Sequence, residues 1–272
     1  MSCCNVMGHY FCRFEILFFK NPNRKHYSMN IKGKTILLAV SAIMLGFQLQ
    51  GQSVTSWRQT DDPALSDPTG RSITAYFSPA SKSKKTPDAE GFIQRWYLLE
   101  PISKTIRTNI LFTDSYIRKA FDTLYFPNQF TILPKNGEKV KVGEQELTWH
   151  ALDSKLFNVK LFRFAYGLNK PIYDVVFWAV TIIDCEREVN NVRMAVGSNS
   201  ASMWWINGEE AVILSGDRRM VMDDCVSTRL TLKKGKNIIR GAIINGPGMS
   251  DFCVRFLDEK GQPIKDLTIS LE

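Results

Sequence analysis

Residues 191–258 constrain the fold more than any other part of the chain. Apolar positions alternate in short runs there: Val192, Met194 and Val196; Trp204 and Ile206; Leu230 and Leu232; Phe252, Val254 and Phe256. Ile238 and Arg240 continue the period with a polar member. The runs are cut by Asn207-Gly208, Lys234-Gly235 and the stretch Asn245, Gly246, Pro247, Gly248. A period of two, broken by turn residues every ten or so positions, predicts antiparallel strands with one face in a core. Asn207-Gly208 suits a two-residue type I′ hairpin, whose central residues both need positive φ.

Upstream, residues 92–99 read as a strand closed by Pro101. Residues 114–126 read as a short helix, with Thr113 or Asp114 as N-cap and Ile117, Ala120, Phe121 and Leu124 at helical spacing. The stretches 139–152, 157–168 and 173–184 read as strands. The unbroken apolar run over 175–183 suggests a strand covered on both faces. The expectation is an all-β fold, a two-sheet antiparallel sandwich over 91–272 with one short helix. Its core should include Trp178, Trp204, Ile206, Val254 and Phe256.

The N-terminal part has another character. Lys32 and Lys34 precede an apolar stretch of thirteen residues, 35–47, followed by a polar exit containing Gly51. That order is the layout of a secretory signal peptide. As a helix the apolar stretch would reach ~20 Å, short of a ~30 Å hydrocarbon core. We expect 29–51 to direct export, with cleavage near Gly51-Gln52 and a periplasmic or extracellular product. No stable membrane span would remain. Residues 1–28 precede the expected start at Met29 and read as a start-site artefact. Residues 52–90, rich in Ser, Thr, Asp, Pro and Lys, read as an extended linker.

Five of the eight net positive charges lie in residues 1–51, which hold six basic residues against Glu15 alone. The remainder carries a net charge of only +3, which removes the electrostatic argument for nucleic-acid binding. Of the six cysteines, Cys185, Cys225 and Cys253 lie in the expected domain. An odd count allows at most one bridge among them, and no spacing suggests zinc.

Catalytic residues are not evident. His150 is the one histidine after the leader, and no G-x-S-x-G elbow accompanies it. Residues 197–201 come nearest, with Asn199 at the centre. Asp223 and Asp224 are adjacent and would point to opposite faces of a strand, while Glu209 and Glu210 follow a hairpin turn. A glycan-binding surface is the stronger expectation, because sugar CH faces stack on rings and polar groups fix hydroxyls. Trp205 should face away from Trp204 and Ile206. With Asp217, Arg218 and Arg219 in the following polar turn, it forms the candidate ligand set. A competing reading packs Trp205 under the helix and leaves the arginines solvated or paired with Asp223 or Asp224.

The segments GFIQRWYLLEPI, TDSYIRKAFDTLYFPNQFT and ELTWHALDSKLFNVKLFRFA, with the run from Gly197 to Asn237, resemble an N-terminal module of secreted bacterial acetylxylan esterases. The resemblance spans residues 61–271. It implies a galactose-binding-domain-like jelly roll and a non-catalytic accessory or carbohydrate-binding role in plant xylan degradation. It also implies a xylan-type glycan and an esterase catalytic domain as partners. A structural calcium is compatible with such a module, and no other cofactor is expected. In the family the catalytic domain is a separate segment, whose serine and histidine have no counterpart here. Two other functions stay open: acetylxylan esterase activity, and a structural module packing on an esterase domain encoded elsewhere.

Overall fold

The computed structural model describes residues 72–106 and 112–271, so the expected leader and the first part of the linker lie outside the described residues. After a 3-10 turn (Ile73–Ala75) come β1 (Phe77–Pro79), β2 (Arg95–Leu99) and β3 (Ile102–Ser103). Helix α1 (Asp114–Asp122) leads to β4 (Lys139–Val142), β5 (Gln145–Ser154), β6 (Val159–Lys160) and helix α2 (Leu161–Gly167). Then follow β7 (Val175–Cys185), β8 (Val189–Ser198), β9 (Ala201–Ile206) and β10 (Glu209–Leu214). The last strands are β11 (Cys225–Val226), β12 (Leu230–Leu232), β13 (Gly235–Asn245), β14 (Asp251–Leu257) and β15 (Thr268–Ser270).

These strands form two antiparallel sheets. The large one runs β1-β5-β2-β7-β13-β9-β10, with β3 and β15 also on β7 and β4 on β5. The small one runs β11-β8-β14-β6, with β12 on β8. Trp96, Phe177, Trp204 and Ile206 of the large sheet meet Met194, Val196, Phe252, Val254 and Phe256 of the small sheet in one core. The chain is therefore a two-sheet antiparallel β-sandwich, and all five expected core residues are buried.

A second core lies on the other face of the large sheet. Tyr97, Trp149, Val176, Trp178, Val180 and Trp205 pack there against Phe112, Ile117, Phe121 and Phe126. This explains the unbroken apolar run in β7, whose alternate side chains serve the two cores. Gly241 on β13 pairs with Trp204 on β9. A Cβ at that glycine would lie 2.3 Å from the Trp204 ring, so the close approach excludes any side chain there. Asn207 and Gly208 both take positive φ, 53° and 87°, as the type I′ turn requires.

Three expectations are corrected. There are two short helices among the described residues, since 161–167 folds as α2 and not as a strand. Leu124 lies beyond the end of α1 and is exposed. The described part of the linker belongs to the sandwich. Phe77 is buried in the first core, β1 pairs with β5, and Lys85 bridges to Ile269.

Candidate functional site

The expected ligand set does not assemble. Trp205 stacks on Trp178, with ring centroids 5.7 Å apart and planes 10° from parallel. The edges of Phe121 and Phe130 close around it, and only 6% of the residue is exposed. The structure thus corrects the sugar-stacking role expected of Trp205, because the cover supplied by α1 and the turn after it takes the ring. In the turn after β10, Asp217 and Arg219 are exposed. Arg218 donates from Nε to Asp224 at 3.1 Å and from Nη1 to the Ser215 carbonyl at 2.8 Å. Asp223 accepts from Arg255 Nε at 2.9 Å. The two adjacent aspartates therefore serve two different arginines.

His150 sits on β5 with Nε2 at 3.4 Å from Glu100 Oε1. Glu100 also meets Lys170 Nζ at 3.0 Å and accepts from the Thr148 N–H at 3.2 Å. The imidazole lies edge-on to Phe164. Ser198 and Ser200 are buried and bonded within the turn from β8 to β9: Ser198 Oγ donates to the Ser200 carbonyl, and Ser200 Oγ lies 3.0 Å from Asn245 Oδ1. They brace the turn against β13 and the start of β14. Cys185, Cys225 and Cys253 are buried. Among the described residues no group of three or more His, Cys, Asp or Glu side chains could hold a metal ion. No described helix is long and apolar enough to cross a membrane.

The surface with chemistry suited to a ligand lies on α2. Leu161, Phe164 and Ala165 of this helix are buried against the first core. Helical periodicity then brings Phe162 and Tyr166, four residues apart, to one side of the helix, where both are half-buried. Their rings are 6.2 Å apart and 19° from parallel. Tyr173 joins from the following segment, 6.1 Å from Phe162 at an angle of 57°, and is 48% exposed. The Arg163 guanidinium lies over Tyr76 and Phe162.

Several backbone bonds hold this surface in place. Phe162 N–H donates to the Ser250 carbonyl at 2.9 Å, Lys104 N–H to the Asp174 carbonyl at 2.7 Å, and Asn245 Nδ2 to the Ile172 carbonyl at 2.7 Å. Lys160, just before the helix, meets Asp251 at 2.8 Å. Another opening, a cleft of about 540 Å³ lined by Pro127, Asn128, Ile132, Lys139 and Lys141 among others, has no aromatic ring among its lining residues. Sequence reasoning missed the ring surface because the alternation Leu161, Arg163, Ala165 mimics a strand. The paired spacings Leu161/Ala165 and Phe162/Tyr166 were the signal for a helix.

No known protein family matches the chain, and no curated protein does. Among solved structures it is similar to the PA14 sugar-binding domain from an RTX adhesin, at 10% identity over 64% of this chain and 96% of that one, with a TM-score of 0.38. It is also similar to the PA14 domain of the MpAFP antifreeze protein, at 11% identity over 70% of this chain and 96% of that one, TM-score 0.34. A beta-glucosidase from Kluyveromyces marxianus in complex with glucose overlaps 46% of this chain and 16% of its own, at 16% identity and TM-score 0.32. At these scores the overlaps do not establish a shared fold.

Proposed function

We propose that this domain is a non-catalytic carbohydrate-binding module, exported with or beside an acetylxylan esterase and serving plant xylan degradation. The observation that carries the reading is the ring trio Phe162, Tyr166 and Tyr173, the first two half-buried and Tyr173 exposed. Rings carried on a fixed helix and the segment after it offer apolar surface to sugar CH groups, and the exposed Tyr173 hydroxyl offers a hydrogen bond to a sugar hydroxyl. The esterase and xylan parts rest on the resemblance of the sequence segments. The exported location rests on the order of residues 29–51.

Affinity electrophoresis in soluble xylan tests the binding surface. Tyr173→Ala should weaken retention by about two- to tenfold, the scale of one lost ring contact, with an unchanged melting temperature. Trp205→Ala should instead cost about 3–5 kcal/mol of stability, as for other buried aromatic truncations. Unchanged retention in Tyr173→Ala would remove the ring trio from the site.

Acetyl esterase activity is the second reading, and one observation favours it. Glu100 is placed to orient His150, which is half of a base–orienter pair. On the non-catalytic reading, acetate release from acetylated xylan stays at the level of a protein-free blank. Turnover that disappears in a folded His150→Ala variant would decide for the esterase.

A further inference from the structure

We infer that the ring surface on α2 takes an uncharged polysaccharide as a single twisted chain, and not as the flat face of a crystalline fibre. This inference rests on the glycan-binding reading and concerns the ligand class.

The ring geometry argues against a flat ligand. The centroid of Phe162 lies 6.2 Å from that of Tyr166 and 6.1 Å from that of Tyr173. The Phe162 and Tyr166 rings are nearly parallel, at 19°, whereas Tyr173 is tilted by 57° to Phe162. A flat surface lying against Phe162 would therefore meet Tyr173 obliquely and lose most of the contact with that ring. A chain whose successive sugars rotate about its axis can present a face to each ring in turn. The anchors of Tyr173 lie in the backbone on both sides of it, at Ile172 and Asp174. The backbone that carries the ring is thus anchored on both sides of it.

The charges beside the rings argue against an acidic ligand. Lys160 is met by Asp251 at 2.8 Å and Lys170 by Glu100 at 3.0 Å. Both carboxylates are at least nine-tenths buried and fixed. Arg163 and Asp174 add one charge of each sign. Lys104, whose N–H holds Asp174, sends its ammonium over Tyr125. Among the described side chains, a uronate chain would meet Lys160 and Lys170, which already have carboxylate partners, while its own carboxylates would still have to be desolvated.

Three probes separate the outcomes: a gel containing neutral arabinoxylan, a gel containing polygalacturonate, and sedimentation with microcrystalline cellulose. The purified protein should be retarded by arabinoxylan, equally at low and high salt, since no charge pairing is at stake. It should run freely in polygalacturonate and stay in the supernatant over cellulose. Phe162→Ala should abolish the arabinoxylan retardation, while Phe162→Tyr, which keeps the ring, should preserve it. Sedimentation with cellulose, or retardation by polygalacturonate as strong as by arabinoxylan, would overturn the ligand class and leave the glycan reading standing. Retention by none of the three would overturn both.

Discussion

Cys253 illustrates what burial does to a reactive group at the scale of one residue. Its thiol is 1% exposed and lies 4.0 Å from Met220 Sδ. Burial pushes its pKa from 9.0 up to about 12, against the opposing pull of hydrogen bonds from the Gly197 and Asp223 backbone. The folded value lies above the unfolded one, so the neutral thiol favours the folded state fully below pH 9.0. That contribution is lost as the pH rises towards 12. Urea titrations across this window should show stability falling less steeply in Cys253→Ala than in the parent. Tyr125 is also pushed up to about 12 by burial, so it contributes to both curves and cancels in the comparison. Parallel curves would mean that Cys253 does not titrate there. A suppressed thiolate also resists oxidation, so a reduced Cys253 is chemically compatible with the oxidising compartment expected for an exported chain. The sequence supplied the odd count, but not the placement: Cys225 faces the first core while Cys253 faces Met220. Trp205 was legible in the same partial way. Alternation placed it opposite Trp204 and left two readings, sugar contact or cover by the helix, and its packing against Phe121 and Phe130 decides for the cover.

At the scale of elements, helix ends account for much of what the sequence concealed. Thr113 caps α1 as expected, accepting from the Tyr116 N–H at 3.3 Å. The helix stops at Asp122 because Gln129, 1% exposed, replaces the next turn. Its Nε2 donates to the carbonyls of Phe121 and Thr123, and its Oε1 accepts from the Tyr125 N–H. A glutamine seven residues past a helix gives no sequence signal, so the spacing of Leu124 extended the expected helix too far. Gln129→Ala should cost about 1–3 kcal/mol, because these backbone groups lose their partner. Amide exchange at Tyr125 should accelerate in the variant, whereas a merely space-filling glutamine would leave that amide protected. For α2, a helix of seven residues offers fewer than two full turns of periodicity. Strand and helix readings of 161–167 then differ by only one or two positions, and the long-range packing of Leu161 and Phe164 decides.

At the scale of the whole molecule, the large sheet is a shared wall. β2 sends Trp96 and Leu98 to the first core and Tyr97 and Leu99 to the second. β9 divides Trp204 and Ile206 from Met203 and Trp205 in the same way. Neither core can come apart without freeing strands that the other needs, so the described domain should unfold as one cooperative unit. The two cores carry separate reporters. The stacked Trp178–Trp205 pair should give a coupled near-ultraviolet circular dichroism band from the second core, one that Trp205→Phe would remove. Val254→Ala perturbs the first core from the opposite sheet. In the parent, the tryptophan band and the far-ultraviolet strand signal should fall at the same urea concentration. In Val254→Ala both should move down together, although the substitution lies on the far side of the sheet from the reporter. A tryptophan band that holds its midpoint while the strand signal shifts would show two independently stable layers, and would refute the shared wall.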